Sequence, residues 1–170
     1  MFACDFLTVD IFGFKRLYIF FVIELQSRKI AHWNLTASPD IPFLRKQLSY
    51  FSEMNPNAKL IHDNSGELKW FPYDEYGIEG ISITPYSPNM NAYAERFVRT
   101  IRHECLDWFI IFSQTQLGNI IKEYVRYYNT CRPHQGTGKI PDGKPPEQIG
   151  AIKSKSFLFG LHHHYYRESA

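Results

Sequence analysis

The stretch FACDFLTVDIFGFKRLYIFFVIELQSRKIAHWNLT, residues 2–36, decides the fold. It contains three runs rich in aromatic and β-branched residues, Phe2–Val9, Arg16–Leu25 and Lys29–Thr36, and each reads as a strand. Gly13 punctuates the first connection and QSRK the second. Connections this short favour antiparallel neighbours, because a parallel return needs a crossover. The middle run is apolar enough to be buried on both faces.

Downstream the pattern changes to helix–strand alternation. Ser38 is placed to cap a helix, with Pro39 at its first position and Asp40 at the positive end of its dipole. Ile41, Leu44, Leu48 and Phe51 mark its apolar face. Ala58–His62 and Gly80–Thr84 read as a fourth and a fifth strand. Between them, LKWFPYDEYGIE holds at most a short helix broken by its proline. After the loop PYSPNMN, Asn91 is placed to cap a helix running to about Trp108, with Ala94, Phe97, Ile101, Cys105 and Trp108 buried. A further helix, about Thr115 to Asn129, buries Leu117, Ile121, Tyr124 and Tyr128. This order predicts an α/β fold: a mixed sheet covered by helices. Residues 1–138 form the expected core, and 139–170 a Pro- and Gly-rich tail.

Composition narrows the classes. The chain has 170 residues, 44% of them hydrophobic and 16% aromatic, which excludes a disordered chain. Its apolar run LYIFFVIEL is too short to span a membrane. No basic region followed by a long apolar core opens the sequence, so no signal peptide is expected. Three scattered cysteines, Cys4, Cys105 and Cys131, read as reduced thiols in a cytosolic setting. A net charge of +2 neither requires nor excludes a nucleic-acid partner.

Three acids stand out. Asp5 lies within a strand, where a carboxylate is costly to bury unless it is paired or holds a metal. Asp10, five positions on, points to the opposite face of a regular strand and is placed to start a turn. Asp63 ends the fourth strand, either as a ligand at the strand tip or as the start of an Asx-turn in DNSG. Glu95 opens a helix and shares one face with Arg99 and Arg102. That spacing fits a metal-and-phosphate site or a salt-bridge ladder. Glu24 reads as a strand end meeting solvent, and Glu67 as a loop residue.

Four segments in order, ACDFLTVD, LIHDNSGEL, SPNMNAYAERFVRTIRHECLD and YYNTCRPHQG, resemble the catalytic core of insertion-sequence transposases and retroviral integrases. The likeness runs from Phe2 to about Gly138, and GLHHHYYR resembles the tail of some bacterial integrase-like proteins. It implies an RNase H-like five-stranded sheet, three antiparallel strands and then two parallel ones. It also implies an Asp–Asp–Glu triad binding two Mg²⁺ or Mn²⁺ ions. Residue by residue, the triad maps onto Asp5, Asp63 and Glu95, and Arg102 matches a basic residue two turns after the glutamate.

The implied function is metal-dependent DNA cleavage and strand transfer, acting on element ends and target DNA. The alternatives are a hydrolytic nuclease of the same fold and an inactive DNA-binding or assembly remnant of a truncated element. The implied setting is a self-associating, nucleoid-associated cytoplasmic protein. There are two departures from the family pattern. Asp63 and Glu95 stand 32 positions apart, a few fewer than usual, and the DNA-recognition helices that commonly precede such a core are missing. A separate helix-turn-helix subunit is the partner this suggests.

Arg132, in RPHQG, is a candidate DNA contact or the capping residue of a structural turn. Lys122, Arg126 and Arg132, interleaved with Tyr127 and Tyr128, suit either phosphates and bases or a solvated helix face. His162, His163 and His164 alternate in direction along an extended chain and cannot readily share one ion. They are expected to pack as a polar tail.

Overall fold

The computed structural model describes residues 1–13, 15–64, 66–83, 91–143 and 149–168. The strands β1 (Phe2–Ile11), β2 (Lys15–Glu24) and β3 (Ile30–Thr36) form an antiparallel meander. Helix α1 (Ile41–Met54) then carries the chain across the sheet to β4 (Lys59–His62). The short helix α2 (Gly66–Trp70) leads, past Pro72, to a 3-10 turn at Tyr73–Tyr76 and then to β5 (Glu79–Ser82). The sheet order is β3-β2-β1-β4-β5, with β4 parallel to both β1 and β5. This is the expected arrangement of three antiparallel strands followed by two parallel ones. Thr84 and the loop at residues 85–90 lie outside the described residues.

The sheet is covered on both faces, and β2 shows why. Ile19, Phe21 and Ile23 join one buried cluster, while Phe20 and Val22 join the other. The first cluster contains Phe97 and Ile101 of α3 (Ala92–Glu104), with Leu117, Ile121 and Tyr124 of α4 (Gln114–Thr130). The second contains Leu44, Leu48 and Phe51 of α1. Strand β3 is irregular where it passes β2 at Val22/Ile23. There the buried Asn129 of α4 replaces the sheet partner, since its Oδ1 accepts from the Ile30 N–H (2.9 Å) and its Nδ2 donates to the Ile30 carbonyl (3.0 Å).

Two local expectations are corrected. Helix α1 is capped by Asp40, whose Oδ1 accepts from the Phe43 N–H (2.9 Å), and not by Ser38. Ser38 is held in a turn with the Thr36 hydroxyl and donates to Asp40, so helical geometry begins only at Ile41 and Pro42 fills the first turn. Helix α3 ends at Glu104, and a 3-10 turn at Leu106–Trp108 follows. That tighter winding rotates Leu106 inward and leaves Trp108 exposed, its indole N–H donating to the His103 carbonyl (2.8 Å). Within residues 139–170, read as a Pro- and Gly-rich tail, lies the hairpin of β6 (Ile152–Phe157) and β7 (His162–Arg167). Phe157 and Leu158 at its turn are buried and anchor it.

Candidate active site

Asp5 lies on β1 between Ala3 and Leu7, both part of the cluster under α3 and α4, so strand alternation turns it toward those helices. Phe2 of β1 stands opposite Leu60 of β4, and Ala3 opposite Ile61, in parallel register. The paired residues end there; carried two residues further, the same register would set Asp5 level with Asp63, the residue after β4. Glu95, in the first turn of α3, comes from the layer above, where α3 packs on β1.

Asp5 registers both other acids. Burial pushes its carboxyl from 3.8 to about 6; the Phe6 N–H, donating to Oδ1 (2.7 Å), pulls it back, and the charges of Asp63 and Glu95 push it up again. Burial likewise drives the Cys4 thiol well above its ordinary range, with the charges of Asp5 and Asp63 adding to it. The buried Tyr73 hydroxyl is also raised, first by burial and then by Cys4 and Asp63. Among the described residues, no group of three or more His, Cys, Asp or Glu side chains is arranged to hold a metal ion.

The shift at Asp5 has a thermodynamic consequence. Its folded pKa lies above its unfolded one, so the folded chain binds this proton more tightly. The contribution to stability is complete below about pH 4, is lost as pH rises through 6, and stays lost above that. Asp5→Asn is therefore expected to stabilise the metal-free chain at about pH 8 by on the order of 2–3 kcal/mol, and hardly at all near pH 4. Urea melts at the two pH values, with chelator present, measure this difference. Equal effects at both would contradict the assignment.

The rival acids are accounted for differently. Asp10 is exposed and paired with Arg16 (Nε–Oδ1 2.7 Å), whose hydrogen bond lowers its pKa. Glu24 accepts from the Ser27 hydroxyl, and Glu67 is exposed in α2.

Of the basic candidates, Arg99 is exposed one turn beyond Glu95, which is itself exposed. Arg102, partly buried, donates to the Thr8 carbonyl (2.8 Å) near the far end of β1. Arg132 forms a two-pronged ion pair with Glu104, Nε to Oε2 at 2.7 Å and Nη2 to Oε1 at 2.5 Å. Both side chains are about three-quarters buried, and this favours the structural reading of Arg132 that the sequence left open. His162 stacks on Tyr127 (4.4 Å between centroids, 7° between planes) and bonds the Glu104 carbonyl (2.7 Å), while His163 is exposed.

Sequence reasoning gave Asn91 only a capping role. It occupies the N-cap of α3, but its side chain makes no cap bond, and its Oδ1 is buried with no hydrogen-bond partner among the described residues. It precedes Glu95 by four residues, one helical turn on the same face. That spacing is the signal that could have singled it out.

The family model of the integrase core domain matches residues 76–141. An uncharacterised protein of insertion element IS476 from Xanthomonas euvesicatoria is 42% identical over 79 residues, covering 45% of this chain and 21% of that protein. The putative transposase InsK of insertion sequence IS150 from Escherichia coli K12 is 28% identical over 127 residues, covering 69% of this chain and 44% of its own length. The chain thus spans less than half of either curated relative.

Among solved structures, a chain of the simian T-cell lymphotropic virus intasome superposes with a TM-score of 0.63 at 12% identity, over 98% of this chain and 66% of that one. The HTLV-2 integrase catalytic core domain, solved with magnesium in a trimeric form, gives 0.61 at 13% identity, over 82% and 91%. The likeness extends to the fold, the five-stranded mixed sheet with its covering helices described above. Sequence match and fold therefore point the same way: residues 76–141 are similar to the integrase core domain, and the chain has the fold of these integrase cores.

Proposed function

We propose that this core cuts and joins DNA by metal-dependent phosphodiester transfer, with Asp5, Asp63 and Glu95 as the catalytic carboxylates. One observation supports the reading: β1 and β4 are parallel neighbours, and Asp5 of β1 feels the charges of both Asp63 and Glu95. Three acids from three separate elements near one part-buried point repel one another, an arrangement that a divalent cation reverses in sign.

The donor set fits the group. Carboxylate oxygens are hard ligands, suited to Mg²⁺ or Mn²⁺ and unsuited to soft metals. Asp5, Asp63 and Glu95 would hold two such ions. When bound, they supply Lewis-acid charge to an in-line displacement at phosphorus. The rest falls to the chain's own groups. The Phe6 N–H fixes Oδ1 of Asp5, and Oδ2, which makes no hydrogen bond among the described residues, is the oxygen proposed to meet a ligand. Asp63 extends beyond the last paired residue of β4 and is partly open to solvent. Arg99, exposed on the Glu95 face, is positioned to meet a DNA phosphate, and Arg102 to steady the helix against β1.

The substrates on this reading are element ends and target DNA. The active form is self-associated, acts at the bacterial nucleoid, and takes DNA recognition from a helix-turn-helix subunit. Supplying a pre-cut end of the DNA flanking the gene, a target plasmid and Mg²⁺ tests the transfer step. Joined products are expected. Cutting without joining would leave a hydrolytic nuclease instead.

A further inference from the structure

The hairpin β6–β7 has two faces. Residues directly opposite in its register share a face, so Lys153 with Tyr166, Lys155 with His164 and Phe157 with His162 line one side. The root of that side is anchored, because the buried Phe157 and the half-buried His162 both pack on Tyr127 of α4. Beyond the root the ribbon stands exposed at Lys153, Lys155 and Tyr166. On the same side His164 stacks on Tyr166 (5.8 Å, 13°).

The outer face of α4 continues this surface. Exposed Arg126 lies 6.0 Å from the Phe157 ring centre and Lys155 lies 5.5 Å from it, so one ring links cations of the helix and the ribbon. Lys122, also exposed, is one turn before Arg126. Two acids accompany these four cations. Glu123 is engaged by the Leu158 N–H (2.8 Å) and Glu168 by Lys153 (2.6 Å). This one patch therefore carries a surplus equal to the formal +2 of the whole chain.

We infer that the Lys153/Lys155 face of the ribbon, with Lys122 and Arg126 of α4, is a docking surface for the phosphate backbone of DNA. The inference rests on the proposal that DNA is the substrate, and it adds a surface outside the acidic site. Charge complementarity selects the occupant, since a polyanion meets cations spaced along a ribbon and a helix. Lysines on a ribbon also deter pairing with another strand. That purpose needs no aromatic rings, whereas rings interleaved with cations are what bases and sugars pack against.

The test is fluorescence anisotropy of a labelled duplex with the whole chain, in chelator, across a salt series. Lys122→Ala/Arg126→Ala/Lys155→Ala is expected to lower the log–log salt slope by about three and affinity by roughly 10-fold or more. Lys155→Ala alone, at an exposed position, should lower the slope by about one, which keeps the test decisive if the triple variant unfolds. Unchanged slopes overturn the inference. So does a variant that alters self-association by sedimentation while DNA affinity holds. Asp63→Ala separates the two proposals: it should bind like the parent and fail to cut. Ribbon variants that bind and cut normally would defeat only this inference, and an Asp63→Ala that still cuts would defeat only the catalytic one.

Discussion

Asp63→Ala abolishes Mg²⁺-dependent cutting of a labelled duplex taken from the DNA flanking the gene, a loss expected to be on the order of 10³-fold or more. Asp63 lies just past β4, partly exposed and outside both buried clusters, so its removal opens no core cavity. What it removes is one of the charges that Asp5, Cys4 and Tyr73 all register. Asp5→Asn should lose cutting to a similar degree while gaining stability at neutral pH. Unfolding lowers activity and stability together, so opposite signs in one variant cannot come from misfolding. Full activity after substitution of both aspartates would remove the assignment.

Glu104→Ala is expected to destabilise the fold by about 3 kcal/mol, a fall of roughly 6–12 °C in Tm for a domain of this size. Glu104 sits at the last turn of α3 and accepts from both Arg132 and the fully buried Tyr124 hydroxyl (3.1 Å), so it ties α3 to α4 and to the segment after it. Deleting it leaves a half-buried guanidinium and a buried hydroxyl without an acceptor. Burial works against the Glu104 carboxylate. The hydrogen bond and charge of Arg132, followed by Tyr124 and His162, outweigh it and hold the pKa below the ordinary glutamate value. A folded pKa below the unfolded one means the pair stabilises above about pH 4.5 and is lost as pH falls through the folded value. Thermal melts of Glu104→Ala, Arg132→Ala and the double variant measure the coupling. A coupling near zero would refute the role. If Arg132 instead touches DNA, Arg132→Ala will lower the salt slope of binding; the ion-pair role leaves that slope unchanged.

The central architecture was legible because it follows from local periodicity. Strands β1 to β3 come from β-branched and aromatic runs with turns too short for a crossover, and α3 and α4 from apolar stripes at helical spacing. The choice of Asp5 over Asp10 was also local, since a strand sends residues an odd number apart to opposite faces. Asp10 duly lies exposed against Arg16. The cap of α1 was misplaced by two residues because Ser38, Asp40 and two prolines, Pro39 and Pro42, offer competing starts, and the hydroxyl of Thr36 claims Ser38. The ribbon went unread because its outward positions are charged and polar on both faces, so no apolar alternation marks it.

By itself, the sequence determined the five strands of the central sheet and the main helices around it, and singled out Asp5 as an acid that is costly to bury in a strand. Only the tertiary structure decided that β1 and β4 run as parallel neighbours, that Glu104 and Arg132 pair across 28 positions, and that Lys155 meets Arg126 over one ring. Those are contacts between distant segments, set by how sheet and helices pack, and no local periodicity encodes them.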